Sequence, residues 1–102
     1  MIFIIARIEL REGRRDEFLD VFKKLAPMVR KESGCIDYWP TIDFETNIPV
    51  QGPVNENVVT VVERWESIDA LEAHLMAPHM LEYHKRVKEM VVRTTLQVLE
   101  PA

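Results

Sequence analysis

The order of hydrophobic patterns along the chain predicts an α+β fold, a ferredoxin-like βαββαβ sandwich built on a four-stranded antiparallel sheet. Two observations lead to this fold class. Four runs of apolar and β-branched residues have strand character, and two segments between them repeat apolar residues at the spacing of amphipathic helices. The order is strand, helix, two strands, helix, strand. We treat residues 1–102 as a single domain, because a chain of 102 residues has room for one substantial core.

The first half of the chain predicts a strand, a helix and a second strand. Residues 2–10 are apolar and β-branched, which is typical of a strand. From residue 14 to residue 33, apolar residues recur every three to four positions, as in a half-buried helix. We expect Gly34 to end this helix and Pro27 to kink it without stopping it, because the periodicity continues beyond the proline. Residues 35–46 have strand composition.

The second half predicts a loop, a strand, a divided helical region and a final strand. Residues 47–57 are rich in Pro, Gly and Asn, which favours a loop, and residues 58–65 form the clearest strand in the chain. Ser67 is placed to cap a short helix, and Pro78 suits the first turn of the helix that follows. Residues 93–99 form the last predicted strand.

Both faces of the predicted sheet carry apolar residues. In the first strand, Ile4 and Ala6 point to one face, whereas Phe3 and Ile5 point to the other. Soluble monomers seldom expose large apolar patches, so we expect a second copy to cover one face, giving a homodimer of the dimeric α+β barrel type. The segment 40–57 is longer than a hairpin connection needs. It either caps a pocket, reaches the partner subunit or forms a plain surface loop.

Composition and charge exclude several partners. The chain has 13 Lys and Arg against 17 Asp and Glu, a formal net charge of −4, which argues against a nucleic-acid partner. Its longest apolar run, residues 1–6, is far shorter than the roughly 20 residues of a membrane span and lacks the features of a secretory signal. We therefore expect a cytoplasmic protein with no membrane partner. A single cysteine, Cys35, excludes an intrachain disulfide.

The three histidines are the first candidates for chemistry. The chain has only three glycines, and they do not form a nucleotide-binding or phosphate-binding motif. His74, His79 and His84 are spaced five residues apart, so on a continuous helix their side chains would diverge, and we expect no metal site. His74 is either a hydrogen-bonded core histidine or a polar group in an apolar pocket, where it acts on a phenolic substrate. We expect His79 to be exposed. For His84, core, pocket and surface all remain open.

An acid and an aromatic residue end the third strand on one face. Glu63 and Trp65 are either an edge ion pair and a packed indole, or parts of a site. Further aromatic residues would supply stacking surface for a flat ligand, or would simply build the core. These aromatic residues are Tyr38, Trp39, Phe44, Trp65 and Tyr83.

Two segments carry a resemblance to a known family. The sequence Gly-Cys-Ile-Asp-Tyr at residues 34–38 follows the first helix, and a Glu-x-Trp pattern in residues 63–74 is followed at fixed spacing by His74. On these motifs the chain resembles the antibiotic biosynthesis monooxygenase family, over nearly its whole length. The resemblance implies a small dimeric α+β barrel. Several members oxygenate quinols or polycyclic phenols with O₂ and use neither a metal nor a flavin.

The resemblance also implies roles for particular residues. His74 would be the base or hydrogen-bond partner of a phenolic substrate, and Glu63 would orient it. The implied reaction removes a phenolic proton, and the electron-rich phenolate then reacts with O₂ to give a quinone and water. The residues expected to contact the substrate are Trp65, Tyr83, Tyr38, Trp39 and His84.

Three alternatives to this function remain open. The first is a binding or stress-associated dimer whose cavity holds a small molecule without catalysis. The second is haem degradation, in which the resemblance to a neighbouring branch places His84 as the axial ligand. However, this chain has Arg7 where that branch carries asparagine, and His74 where it carries tryptophan. The third is a lactone isomerase or another proton-transfer enzyme that needs no O₂.

Overall fold

Seven elements follow one another in the predicted order, with the second helical region divided into two helices. The computed structural model describes residues 1–102. The elements are β1 (Ile2–Leu10), α1 (Arg15–Arg30), β2 (Cys35–Thr41), β3 (Val58–Trp65), α2 (Ile68–Leu75), α3 (Pro78–Val87) and β4 (Val91–Leu99).

The four strands form one antiparallel sheet in the order β2-β3-β1-β4. The first strand of the sequence is therefore central, paired with β3 on one side and β4 on the other. At the middle of the sheet, Ala6 lies opposite Val61 on β3 and Leu96 on β4. This is the ferredoxin-like βαββαβ topology, and it confirms the predicted α+β fold class.

Helix α1 packs a continuous apolar stripe against the sheet. Phe18, Phe22 and Val29 are buried, and the helix continues through Pro27 as predicted. The predicted end at Gly34 is wrong, because α1 stops at Arg30 and a short turn follows it. Helix ends depend on local hydrogen bonds, which periodicity does not resolve. The turn carries the chain into β2 and places Glu32 beside the second helical region.

Gly34 does not end α1 but lies in the turn after it, at a position that only a residue without a Cβ fits well. Its φ is +85°, a left-handed backbone conformation that residues with a Cβ rarely adopt. A Cβ added at Gly34 would lie 2.5 Å from the Cβ of Ala70 on α2. The glycine therefore lets the turn reverse and lets α2 approach it closely.

The break between α2 and α3 lies at Ala77, whose backbone is extended with φ −63° and ψ 141°. Ser67 caps α2 as predicted, since its Oγ accepts a hydrogen bond of 3.2 Å from the N–H of Ala70. Pro78 occupies the first turn of α3, where its missing N–H costs nothing. The two helices therefore have independent directions, and the spacing argument that assumed one continuous helix does not apply.

Two predicted strand boundaries are wrong. Strand β2 ends at Thr41 and not at residue 46, because the chain leaves the β3 ladder there. The following segment 42–57 is held by its own hydrogen bonds, among them one of 2.9 Å from the N–H of Asn55 to Asp43. Strand β4 begins at Val91, two residues earlier than predicted. No helix of the chain has the length and hydropathy needed to cross a membrane.

The two faces of the sheet differ in what covers them. Ile4 and Val61 face the helices and are buried. On the opposite face, Ile5, Val62 and Trp39 lie next to one another across three strands and are 37%, 38% and 54% exposed. We call this the open face. The prediction that both faces of the sheet carry apolar residues is confirmed, and within one chain the second apolar face is uncovered.

Replacing Gly34 with alanine should destabilise the fold. The left-handed backbone costs about 1 kcal/mol and the clash with Ala70 adds about 1 to 3 kcal/mol, so G34A should lose about 2 to 4 kcal/mol in urea unfolding. Gly13 is the matched control, because its φ is also positive, at +79°, but a Cβ there meets nothing within 4 Å. Equal losses in G34A and G13A would contradict the packing role of Gly34.

Candidate active site

A cavity of about 340 Å³ lies between the sheet and helices α2 and α3. We call it the helix-side cavity. Of the 17 residues that line it, 12 are hydrophobic, so its walls are mostly apolar. Five lining residues are solvent-exposed and mark its mouth: Leu75, His84, Lys88, Thr94 and Leu96. No residue of the segment 42–57 lines the cavity, so that segment does not cap it within one chain.

Four buried side chains bring polar atoms to this cavity, namely Tyr38, Glu63, His74 and Tyr83. Glu63 and His74 each use one atom in a hydrogen bond within the chain. The two tyrosine hydroxyls and Nε2 of His74 form no hydrogen bond within the chain. Since no fully buried side-chain nitrogen or oxygen lacks a partner, these three atoms are not fully buried. These atoms therefore face space that a ligand can occupy, and they are free to bind it.

Glu63 is a carboxyl group in an apolar environment, with 5% of its surface exposed. The indole Nε1–H of Trp65 donates to its Oε1 at 2.9 Å. Burial raises the pKa of Glu63 to about 7, and the hydrogen bond from Trp65 opposes that rise only in part. The group can therefore hold or release a proton near neutral pH.

His74 is 2% exposed, and its ring lies 4.6 Å from the Trp65 ring and 5.4 Å from the Tyr38 ring, centroid to centroid. Its Nδ1 is 2.9 Å from Oε2 of Glu32. Burial lowers the pKa of His74, although the Glu32 carboxylate partly offsets this effect. Burial thus favours the neutral ring, which can act as a base.

The residue that holds His74 differs from the one expected. The predicted partner, Glu63, bonds to Trp65, and the carboxylate on His74 belongs to Glu32. Sequence reasoning missed Glu32 because it lies in a turn between Lys31 and Ser33, where a charged residue is usually solvated. The turn geometry that carries it inward is not visible in a hydrophobic pattern.

His79 was expected to be exposed, and this prediction is wrong. Its side chain is only 21% exposed, and its Nε2 is 2.8 Å from the same Oε2 of Glu32 that contacts His74. The two histidines converge because the chain breaks at Ala77 and α3 starts in a new direction. A continuous helix would have separated them.

The two tyrosines are hydrogen-bond donors over the whole physiological pH range. Burial raises the pKa of Tyr38 and of Tyr83 well above the usual value, and the nearby charge of Glu63 raises both further. Their hydroxyls therefore stay protonated. A protonated hydroxyl at an apolar wall can donate to an oxygen of a bound ligand.

Trp39 and Trp65 do not line the cavity. Trp39 lies on the open face of the sheet, where the Arg30 guanidinium stacks 4.0 Å from its ring centroid. It neighbours Tyr38 in a strand, and successive side chains point to opposite faces, so only one of them can face the helices. Trp65 is fully buried, and its ring packs against the ring of His74, with 4.6 Å between the centroids. Phe44 is 80% exposed and does not line the helix-side cavity.

Metal ligands and reactive thiols are not assembled in this chain. No three His, Cys, Asp or Glu side chains are arranged to ligate one metal ion. Cys35 is half-buried beside the core, and burial raises its pKa to about 11, so it remains a thiol at neutral pH.

His84 lies at the cavity mouth, with its ring 5.1 Å from that of Tyr83.

Comparison with known proteins identifies the family. The sequence profile described as "Antibiotic biosynthesis monooxygenase" matches residues 1–86. The chain belongs to the antibiotic biosynthesis monooxygenase family. It is 40% identical over 103 residues to a protein of Escherichia coli strain K12 named "Probable quinol monooxygenase YgiN", covering 99% of this chain and 98% of that protein. The resemblance inferred from the sequence motifs is confirmed.

Solved structures share the fold across the whole chain. A conserved protein from Methanosarcina mazei Go1 superposes with a TM-score of 0.84 at 24% identity, covering 99% of this chain and 92% of that one. Rv0793 from Mycobacterium tuberculosis gives a TM-score of 0.80 at 25% identity, with 99% and 94% covered. The fold shared with these structures therefore extends from β1 to β4 in this chain.

The titration of Glu63 should appear in the stability of the protein. Its pKa is about 7 in the folded chain against an ordinary value of 4.5, so the folded state gains relative stability below pH 4.5 and loses it as pH rises through 7. The variant E63Q keeps an oxygen for Trp65 but cannot ionise. At pH 8 it should be more stable than the wild type by up to about 3 kcal/mol, and near pH 4 the two should be equal.

Urea unfolding between pH 4 and pH 8 measures this difference. E72Q is the control, because Glu72 lies exposed on α2. A constant difference between E63Q and the wild type across this range would contradict the raised pKa.

Proposed function

We propose that this protein is a monooxygenase that oxidises a quinol or another phenolic aromatic molecule with O₂ and uses no cofactor. The observation that carries the proposal is the helix-side cavity, whose apolar walls enclose the unpartnered Nε2 of His74 and the carboxyl group of Glu63. Membership of the antibiotic biosynthesis monooxygenase family and the name of the Escherichia coli relative support the reaction class.

The cavity suits a flat, mostly apolar ligand with one or two oxygens. Its volume of about 340 Å³ is at the lower end of the range of small-molecule pockets, roughly 300 to 1,000 Å³. Apolar walls favour aromatic rings, and the hydroxyls of Tyr38 and Tyr83 offer donors to a phenolic oxygen. Donors held in a water-poor site stabilise a phenolate more strongly than water-exposed donors do.

His74 is the proposed base. Because a carboxylate only accepts hydrogen bonds, we assign the hydrogen of His74 to Nδ1, which faces Glu32, and this leaves Nε2 with a free lone pair. In the first step of the proposed reaction, Nε2 of His74 accepts the proton of the phenolic hydroxyl. The phenolate that forms is electron-rich enough to pass one electron to O₂, giving a phenoxyl radical and superoxide.

Glu63 is the proposed acid, since the environments of Glu63 and His74 move their pKa values in opposite directions. For a phenol or quinol with hydrogen on a carbon ortho or para to the phenolate oxygen, the radical and superoxide combine at that carbon and form a C–O bond. The peroxide takes the Glu63 proton. Glu63 then removes the hydrogen from carbon as the O–O bond breaks, which leaves a carbonyl and a hydroxide. The hydroxide takes the proton from His74, so one O₂ yields one quinone and one water.

Replacing His74 with alanine should remove most of the activity. General bases contribute about 100-fold to 10,000-fold to a rate, so H74A should slow O₂ uptake with a reactive quinol by at least about 100-fold. An oxygen electrode and a panel of quinols and naphthols measure this. E72A serves as the control on the same helix, because Glu72 is exposed and lines no cavity.

Unchanged turnover in folded H74A would remove His74 from the mechanism. If the wild type binds quinols, as measured by calorimetry, but consumes no O₂, the proposal fails in favour of a non-catalytic binding protein. Product formation from a bound substrate under anaerobic conditions would instead indicate a proton-transfer enzyme.

We further propose that a second copy of the chain covers the open face, giving a homodimer. Ile5, Val62 and Trp39 form a contiguous apolar patch on that face, and soluble monomers seldom leave such a patch in water. A two-fold axis through the patch would bury it on both copies at once. The two sheets would then enclose a second apolar core.

Light scattering at micromolar concentration should give twice the mass of one chain. The variant V62K places a charge in the centre of the open face and should reduce the mass to that of a monomer. L81K is the matched control, because Leu81 is 51% exposed on α3, on the helix side of the sheet. A wild-type monomer, or a V62K dimer as stable as the wild type, would overturn the proposal.

A further inference from the structure

We propose that Glu32 is the positioning residue of His74 and that His79 fixes Glu32 in turn, so that the three side chains hold the base in one tautomer. The inference rests on the proposed function, because it assigns a task to a base acting in the helix-side cavity. Glu32 and His79 do not touch the cavity and act only through His74.

The geometry centres on one carboxylate oxygen. Oε2 of Glu32 accepts from Nδ1 of His74 at 2.9 Å and from Nε2 of His79 at 2.8 Å. The three side chains come from the turn after α1, from α2 and from the first turn of α3. They are 15%, 2% and 21% exposed, respectively, so the cluster lies between the interior and the surface.

Glu32 has no competing cation. It forms no ion pair with any lysine or arginine, although Arg30 and Lys31 are its near neighbours in sequence. Arg30 is occupied elsewhere, since its Nε donates to the carbonyl of Tyr38 at 2.9 Å and its guanidinium stacks on Trp39. The negative charge of Glu32 is therefore directed at the two imidazole rings.

The tautomer of His74 follows from this arrangement. A neutral imidazole carries one hydrogen, and a carboxylate on Nδ1 keeps that hydrogen there. The cavity nitrogen Nε2 is then an acceptor, as a base must be. The opposite tautomer would present an N–H to the phenol and take no proton. Once Nε2 is protonated, the same carboxylate stabilises the cationic ring.

His79 completes the arrangement because it restricts the carboxylate. With a single partner, the Glu32 side chain could rotate toward the groove between α1 and α3, which His79 lines. The second hydrogen bond, from His79, holds Oε2 in place and shields it from water. The break at Ala77 is what allows α3 to bring this ring to Glu32.

The test compares Glu32 variants by kinetics and by ¹⁵N NMR of histidine-labelled protein. In the wild type, neutral His74 should show the Nδ1–H tautomer. In E32Q the amide can donate to Nδ1, so this tautomer should no longer dominate. The kcat for quinol oxidation should fall at least about 10-fold while KM changes less than about 3-fold. E32D keeps the charge and should recover more of kcat than E32Q.

A double variant separates positioning from general stability. In the H74A background, E32Q should have no further effect on the residual rate, because Glu32 acts only through His74. H79Q keeps an N–H donor and should retain kcat, whereas H79L should lower it several-fold. E82Q, an exposed change on α3, should leave the rate unchanged. Urea unfolding verifies that each variant is folded.

An unchanged His74 tautomer in E32Q would overturn the inference, as would equal kcat values for E32Q and the wild type. The NMR measurement needs no substrate and therefore stands apart from the proposed function. If the tautomer changes in E32Q but H74A oxidises quinols normally, the positioning of His74 is correct and its role as the base is wrong.

Discussion

Two ionisable side chains in the interior, Glu63 and His74, set the constraint on which the rest of this structure depends. A buried polar group costs several kcal/mol unless it is hydrogen-bonded, and each of these two has one bond within the chain. Trp65 supplies the bond to Glu63, and Glu32 supplies the bond to His74. The indole also packs against the imidazole, so one aromatic residue supports both groups. The remaining polar atoms point into the helix-side cavity.

As in many enzyme sites, this cavity brings together an acid and a base whose pKa values are shifted by their environment. A rigid sheet presents Glu63 from β3, and a helix end presents His74, so two groups of opposite character meet in an apolar space. Burial pushes the pKa of the carboxyl group up and that of the imidazole down. The same physical cause, burial, therefore prepares both an acid and a base.

The fold was largely predictable from the sequence, and the reasons are local. Strand and helix periodicities identified every element, and Ser67 and Pro78 marked the starts of α2 and α3 correctly. Boundaries were less accurate where tertiary contacts decide them. Strand β2 has strand composition up to residue 46, but pairing with β3 stops at Thr41. The turn at Gly34 depends on the approach of α2, which no local pattern contains.

The site was predictable only in part. His74, Glu63, Tyr38, Tyr83 and His84, to which the family resemblance gave site roles, all line the cavity. Trp39 could have been excluded from the sequence, because it neighbours Tyr38 in a strand and must face the other way. Glu32 could not have been found, since its contact with His74 spans 42 residues and depends on a turn and a helix break. Long-range polar contacts of this kind leave no periodic signal.

The central position of β1 in the sheet also affects the order in which the sheet can fold. The strand is synthesised before both of its partners, since β3 and β4 lie in the second half of these 102 residues. Pairing of Phe3 with Leu99 joins almost the two ends of the sequence. Folding of this sheet therefore has a high contact order and depends on the late strand β4. Since Thr94 and Leu96 of β4 form part of the cavity wall, the site forms only after β4 has been synthesised and has paired with β1.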